Sequence, residues 1–171
     1  MDKISNNSIA FIALCNEFCE AIEKAKDYSR TDFIKLMLRL LPRLYITATD
    51  LDIQIQEDAY VDDSLNEEKY NATKEVLANL FGEDDTYLEV FEQDMKYSDT
   101  PIAVTISEGL SDIFQVLYNF IETVKDSPLE IIHLALSAIK EDFGQYWSQR
   151  LCNIQRPLNN LRYLNVPEYE N

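Results

Sequence analysis

Apolar side chains recur along much of this chain at intervals of three and four residues, the spacing that places them on one face of an α-helix. One such stripe covers about residues 5–26, and a second begins near residue 31 and fades by residue 50. A third covers about residues 66–81 and stops before Gly82, a residue type that commonly follows a helix C-terminus. The pattern therefore predicts three helices in the N-terminal half of the chain.

Local sequence marks two further helix starts in the C-terminal half. The segment 105–108, Thr-Ile-Ser-Glu, has the order of a capping box, in which the first and last side chains satisfy free backbone N–H groups. The segment 127–130, Ser-Pro-Leu-Glu, places Pro at the first helical position after a capping residue. Only Asp126 and Ser127 separate this start from the preceding helix, so the two helices are predicted to form an antiparallel hairpin.

Two segments leave their structure open. Residues 51–66 form a long acidic connection, which is uncommon in a compact domain and which either hides a short helix or extends the second helix. Residues 86–95 fit a short helix, but residues 86–91 equally fit a strand that pairs with residues 102–105. The prediction is a single all-α domain over residues 1–171, a bundle of five to seven helices with room for one small two-stranded ribbon.

The last predicted helix carries the single tryptophan of the chain. Phe143, Trp147, Leu151 and Ile154 recur at four, four and three residues and therefore share a helix face. A tryptophan at such a position usually dominates local packing. We predict that Trp147 anchors the C-terminal third of the chain on the first two helices. The expected partners are aromatic and branched side chains: Phe11, Phe18, Leu40 and Leu44.

The chain is strongly acidic, and its negative charge is concentrated in one segment. The 31 acids and 15 bases give a net charge of −16, and residues 50–99 hold sixteen of the acids and only three of the bases. A field of this sign repels phosphate groups, so we predict neither a nucleic-acid nor a membrane partner. If the chain binds a protein, a basic partner is expected at the acidic segment. The candidate contact residues are Asp58, Asp62, Asp63, Glu83, Asp84 and Asp85.

Basic side chains form two groups, and their role stays open. Lys35, Arg39 and Arg43 follow one another at four-residue spacing on the second helix, and three arginines lie near the C-terminus, at positions 150, 156 and 162. These groups either neutralise the acidic segment within the fold or bind an acidic partner.

Common catalytic and metal-binding patterns are absent from the sequence. His133 is the only histidine and lies in a dense apolar stretch, so it favours a structural role over nucleophilic catalysis. A di-iron bundle needs two Glu-x-x-His elements, and the chain offers one. A calcium-binding EF-hand loop needs a central Gly, and none occurs in residues 50–81.

Helix carboxylates offer one enzymatic alternative. Glu17 and Glu20 on the first helix, with Glu108 and Asp112 on the fourth, have the spacing to hold magnesium as in all-helical nucleotide pyrophosphohydrolases. No Gly-rich phosphate-binding loop accompanies them. We therefore predict no cofactor. The leading hypothesis is a non-enzymatic interaction or adaptor protein, and the alternative is a metal-dependent hydrolase that uses these four residues.

Cysteine usage indicates a reducing compartment. Cys15, Cys19 and Cys152 are odd in number and include no C-x-x-C pair, and they lie on apolar stripes, so we predict that all three are reduced and mostly buried. The apolar run 9–15 lacks the positive charge and the small residue of a signal peptide, and no run has the length of a membrane span. We expect a cytoplasmic protein.

Several apolar and aromatic motifs resemble a bacterial family of domains of unknown function, number 5063. They are Leu40-Leu41-Pro42 with Leu44-Tyr45; Tyr87-Leu88-Glu89-Val90-Phe91; Ser107-Glu108 with Leu110, Asp112 and Ile113; and Phe143 with Tyr146-Trp147 and Leu151. Members of that family often carry small and histidine residues after the tryptophan, whereas Ser148 and Gln149 stand here. The resemblance implies the fold and leaves the function open.

Overall fold

The structure, a computed structural model, describes residues 3–89 and 100–164. Six α-helices and one two-stranded ribbon make up its regular elements. The helices are α1 (Asn6–Glu23), α2 (Arg30–Thr49), α3 (Glu67–Phe81), α4 (Ile106–Val124), α5 (Leu129–Asp142) and α6 (Ser148–Tyr163). The strands are β1 (Thr86–Glu89) and β2 (Ile102–Thr105). A π-helical turn, Phe143–Trp147, joins α5 to α6 without a break, so the six α-helices of the described residues form five continuous segments.

Side-chain caps fix where four of the helices begin. Ser5, Ser29, Asn66 and Thr105 each accept a hydrogen bond from the backbone N–H three residues later, which satisfies one of the free donors of the first turn. The capping box predicted at Thr105 is therefore present on its N-cap side. This cap places the start of α4 directly after β2.

The α4–α5 connection differs in detail from the prediction. Pro128 takes the N-cap position of α5 itself, and the Ser127 hydroxyl donates back to the carbonyl of Thr123. Asp126 adopts a positive φ of 53°, a conformation in which Asp is among the better-tolerated residues. Four residues, 125–128, separate the two helices, two more than the sequence predicted.

The ribbon confirms one of the two alternatives left open by the sequence. β1 and β2 pair antiparallel with Thr86 opposite Thr105 and Glu89 opposite Ile102. Residues 90 and 91, which the strand alternative also included, lie outside the described residues. The all-α prediction with one small ribbon is confirmed.

Trp147 is fully buried where α1, α4 and the π-helical turn meet. Its ring lies 6.2 Å from that of Phe11, at an interplanar angle of 30°, and 4.6 Å from that of Phe143, edge to face; Phe11 in turn contacts Phe120. The indole N–H donates to the carbonyl of Ile139 at 3.3 Å. The predicted burial of Trp147 and its contact with Phe11 are therefore confirmed.

A glycine sets the distance between α4 and α6. Gly109 carries no side chain, and a Cβ atom there would lie 2.3 Å from Cγ2 of Ile154, far inside van der Waals contact. Ile154 is buried, and α4 and α6 pack closely along their lengths. The absence of a side chain at position 109 therefore allows this close approach.

Residues 51–66 fold in neither of the two ways expected. α2 ends at Thr49, and the connection runs to Glu67 as extended, irregular chain with a single turn near residue 57. Its ends are held down by Leu51, Ile53 and Leu65, which are buried in the core. We call residues 51–66 the acidic strap.

None of the helices in the described ranges combines the length and the apolar character that crossing a bilayer requires.

Candidate functional site

The acidic strap is held in place by side chains of α4 and α5. The backbone N–H groups of Ser64 and Leu65 donate to the Asn119 side-chain oxygen at 3.0 and 2.8 Å. Two buried hydroxyls accept further bonds: Thr123 from the N–H of Asp62 at 2.9 Å, and Ser137 from the N–H of Gln56 at 2.8 Å. The Lys140 ammonium donates to the carbonyl of Ile53. The strap thus has a fixed path although it has no regular secondary structure.

The carboxylates of this region all face solvent. Eight acids and no base occur between residues 50 and 68, and all eight side chains are exposed: Asp50, Asp52, Glu57, Asp58, Asp62, Asp63, Glu67 and Glu68. The ion pairs found among the described residues involve other carboxylates. Two apolar side chains of the strap, Ile55 and Tyr60, are also exposed, by 50% and 40%. The result is a continuous negative surface with two apolar points.

The acids predicted as one partner surface form two separate groups. Asp58, Asp62 and Asp63 precede α3, whereas Glu83, Asp84 and Asp85 follow it. A helix of 15 residues is roughly 22 Å long, so the two groups lie at opposite ends of α3. The strap group belongs to the longer acidic run, the eight exposed carboxylates between residues 50 and 68.

Asp85 does not belong to the predicted partner surface, because its side chain is buried. Its two carboxylate oxygens accept hydrogen bonds from the N–H and the hydroxyl of Ser107, at 2.7 and 2.6 Å. Asp84 is exposed but pairs with Arg30 at 2.6 Å. Arg30 also donates to the carbonyls of Leu80 and Phe81, which caps the C-terminus of α3. Asp85 fixes the start of α4, and Asp84 helps to fix the end of α3.

The four carboxylates of the hydrolase alternative do not form a metal site. Glu17 and Glu20 are exposed on α1, and Glu108 is exposed on α4. Asp112 accepts a hydrogen bond from the Tyr70 hydroxyl at 2.6 Å and lies 3.8 Å from Arg150. Across residues 3–89 and 100–164, no three Asp, Glu, His or Cys side chains are grouped so that they could hold a metal ion.

Asp112 instead belongs to a polar contact between α3, α4 and α6. Burial, followed by the hydrogen bond to Asp112, raises the pKa of the Tyr70 phenol well above its usual value. The Arg150 guanidinium lies over the ring of Tyr146 as well as near Asp112. The hydrogen bond between Tyr70 and Asp112 thus joins α3 to α4.

His133 is not arranged for catalysis either. Both ring nitrogens are buried, and neither has a hydrogen-bond partner among the residues that the structure describes. Nucleophilic catalysis needs a hydroxyl or thiol within hydrogen-bond reach of such a ring. The predicted structural role of His133 therefore remains the better interpretation.

The three cysteines are free, but they do not share one environment. Cys15 and Cys19 are buried on α1 as predicted, and burial raises the pKa of both thiols. Cys152 is exposed on α6, so the prediction was wrong for this residue. Its neighbour Leu151 is buried. Successive residues of a helix are about 100° apart, so Cys152 faces outward.

We expect a thiol reagent to label one cysteine quickly in the native protein. Cys152 is accessible, whereas Cys15 and Cys19 must await local or global opening and carry raised pKa values that disfavour the thiolate. Titration with an aromatic disulfide should give one fast thiol per native chain and three after denaturation. The Cys152→Ser variant should show no fast phase. Fast reaction of two or three native thiols would contradict this assignment.

Sequence reasoning missed the residues that hold the strap. Asn119, Thr123 and Ser137 are polar positions within apolar helices, and Lys140 is the one base in the last turn of α5. Polar side chains on a buried face are a usable signal, because such groups need hydrogen-bond partners. The sequence does not reveal which backbone groups they bind, since those lie 54 to 87 residues away along the chain.

Comparisons with known proteins agree with this architecture. A family model described as a domain of unknown function (DUF5063) matches residues 2–164. The crystal structure of protein BF1032 from Bacteroides fragilis is 30% identical in sequence, has a TM-score of 0.82, and matches over 98% of each chain. No curated protein matches. These similarities concern the fold and name no reaction or ligand.

Proposed function

This chain belongs to the family DUF5063, as its apolar and aromatic motifs predict, and we propose that it is a non-enzymatic interaction protein that binds a basic protein partner through its acidic strap. The observation that carries the proposal is the run of eight exposed carboxylates between residues 50 and 68. No base interrupts the run, and the described ion pairs of the fold use other acids. These charges are therefore available to a partner.

The fixed path of the strap supports the same function. Ordering a flexible segment on binding costs conformational entropy, and a segment that is already ordered avoids much of that cost. Asn119 alone holds two backbone N–H groups of the strap, next to Asp62 and Asp63. The strap thus presents its carboxylates in one arrangement before any partner arrives.

Two exposed apolar side chains add apolar contact surface to the charged strap. Ile55 and Tyr60 lie among the acids and are half exposed. Charge complementarity mainly speeds association and selects partners, whereas central aromatic and apolar contacts supply much of the affinity. A partner with lysines and arginines around an apolar patch would fit this surface.

The test measures binding of a fluorescent lysine-rich peptide with leucine anchors by anisotropy at low salt. The variant Asp58→Asn/Asp62→Asn/Asp63→Asn should weaken binding by about tenfold, and binding by the unchanged protein should fall steeply with added salt. The matched control Glu17→Gln/Glu20→Gln/Glu141→Gln removes three exposed charges elsewhere and should change affinity less than about twofold.

Two results would overturn the proposal. Equal weakening in both triple variants would assign the binding to net charge alone and not to the strap. Binding that is insensitive to salt would exclude the electrostatic mechanism. Melting curves of both variants must match that of the unchanged protein for the comparison to count.

A further inference from the structure

We propose that a groove between α2 and α6 is a second docking surface, which binds an acidic, apolar-anchored segment of a partner protein. We call it the basic groove. It is an open hollow of about 530 Å³ between the two helices. Its lining includes Pro42, Tyr45 and Ile46 from α2 and Cys152, Arg156 and Asn159 from α6.

The floor and rim of the groove are apolar where they meet solvent. Ile46 is 57% exposed and Tyr45 is 39% exposed, which is unusual for large apolar side chains on paired helices. A second hollow of about 440 Å³ shares Cys152 and Arg156 with the first and continues to β1, where Leu88 is 65% exposed and Glu89 is buried. Grooves with exposed apolar side chains are the kind of surface that binds an extended or helical peptide segment.

The charge around the groove is opposite to that of the rest of the molecule. α2 and α6 carry seven bases and one acid, whereas the whole chain has a net charge of −16; two of the seven bases, Arg30 and Arg150, lie against Asp84 and Asp112. Lys35, Arg39 and Arg43 follow one another at four-residue spacing, and helix geometry puts them on the same side of α2 as Pro42 and Ile46. All three are exposed, and none forms an ion pair within the described chain.

These charges define the chemistry of the occupant. A local positive region attracts a short acidic segment, because charges beyond roughly 8 Å are largely screened at physiological ionic strength. A nucleic acid or an anionic bilayer extends over a larger area and meets the acidic surfaces as well. A concave, apolar and basic site therefore favours a peptide with carboxylates around apolar anchors.

A second copy of this chain is the competing occupant. The strap itself has Ile55 and Tyr60 among carboxylates, so its chemistry fits the groove. Two chains that each carry a net charge of −16 repel one another, however. A different protein is therefore the favoured occupant.

Cys152 provides a local reporter, because it lines both hollows and is exposed. The experiment measures the rate of Cys152 labelling in the full chain at low salt, with and without a synthetic helical peptide that has leucine anchors and glutamates elsewhere. We expect at least fivefold slower labelling with this peptide. The same peptide with every glutamate replaced by lysine should leave the rate unchanged.

Charge reversal in the groove tests the assignment. Arg39→Glu/Arg43→Glu should abolish protection by the acidic peptide, whereas the matched control Lys24→Glu/Lys26→Glu changes the net charge equally on exposed residues elsewhere and should retain it. The strap variant Asp58→Asn/Asp62→Asn/Asp63→Asn should also retain protection, which separates this proposal from the proposed function.

Three outcomes would overturn the proposal. The first is no protection by the acidic peptide at submillimolar concentration, and the second is equal protection by the basic peptide. The third is concentration-dependent protection of Cys152 without any peptide, together with an increased mass in light scattering, which would assign the groove to a second copy.

Discussion

Replacing Trp147 with Ala is expected to lower the free energy of unfolding by about 3–5 kcal/mol. The indole is fully buried, contacts Phe11 and Phe143, and donates its N–H to the carbonyl of Ile139. Its removal leaves a cavity where α1, α4 and the π-helical turn meet, and these elements cannot easily collapse to fill it. A loss of this size is a large share of the stability of an ordinary domain.

The measurement is urea denaturation followed by far-ultraviolet circular dichroism, because the variant has no tryptophan fluorescence. Trp147→Phe retains ring contacts but loses the N–H donor, so it should fall between the unchanged protein and the alanine variant. Tyr163→Ala removes an exposed aromatic side chain from the same helix and should change stability by less than about 0.5 kcal/mol. A near-normal curve for Trp147→Ala would contradict the anchor role.

Replacing Gly109 with Ala is expected to destabilise the protein by about 1–3 kcal/mol, although alanine is the better helix former. The added methyl group would lie 2.3 Å from Cγ2 of Ile154, so either the side chain must leave its rotamer or α4 and α6 must separate. The helix propensity of Ala returns about 1 kcal/mol, which is too little to offset the overpacking. Thermal and urea unfolding both report this change.

Two controls isolate the contact at Gly109. Gly144→Ala adds the same methyl group in the π-helical turn where nothing lies within 4 Å, and it should be neutral or stabilising by up to about 1 kcal/mol. In the background of Ile154→Ala the clash disappears, so adding Gly109→Ala should cost nothing further. Equal destabilisation by Gly109→Ala in both backgrounds would show that Ile154 is not the residue it meets.

Helix positions were predictable because their causes are local. The caps at Ser29 and Thr105 act over three residues, and the apolar stripes repeat within a single turn. The ribbon could be proposed for the same reason. The sequence could not favour it over a short helix, because tertiary packing decides whether residues 86 and 105 pair. Gly109 left a weaker signal, a glycine inside an apolar helix, where close packing is a common reason.

The sequence predicted that the candidate site is acidic, but it did not predict which carboxylates lie together on the surface. Exposure of Asp58, Asp62 and Asp63 follows from the cost of burying charge. Burial of Asp85 does not, because it depends on the Ser107 N–H and hydroxyl at the start of α4. The outward position of Cys152 likewise depends on which side of α6 meets α2. Such facts require the distances between elements, which a single sequence does not contain.

The order in which the chain is synthesised gives the strap a further property. Residues 51–66 leave the ribosome well before Asn119, Thr123, Ser137 and Lys140, the side chains that later bind their backbone. During that interval the segment has no partners, and its N–H and carbonyl groups are available to other nascent chains. Its dense negative charge keeps such chains apart, in the way that charged residues protect exposed strands from aggregation. The same carboxylates that we propose to bind a partner in the folded protein thus disfavour aggregation of the unpaired segment until the α4–α5 hairpin has formed.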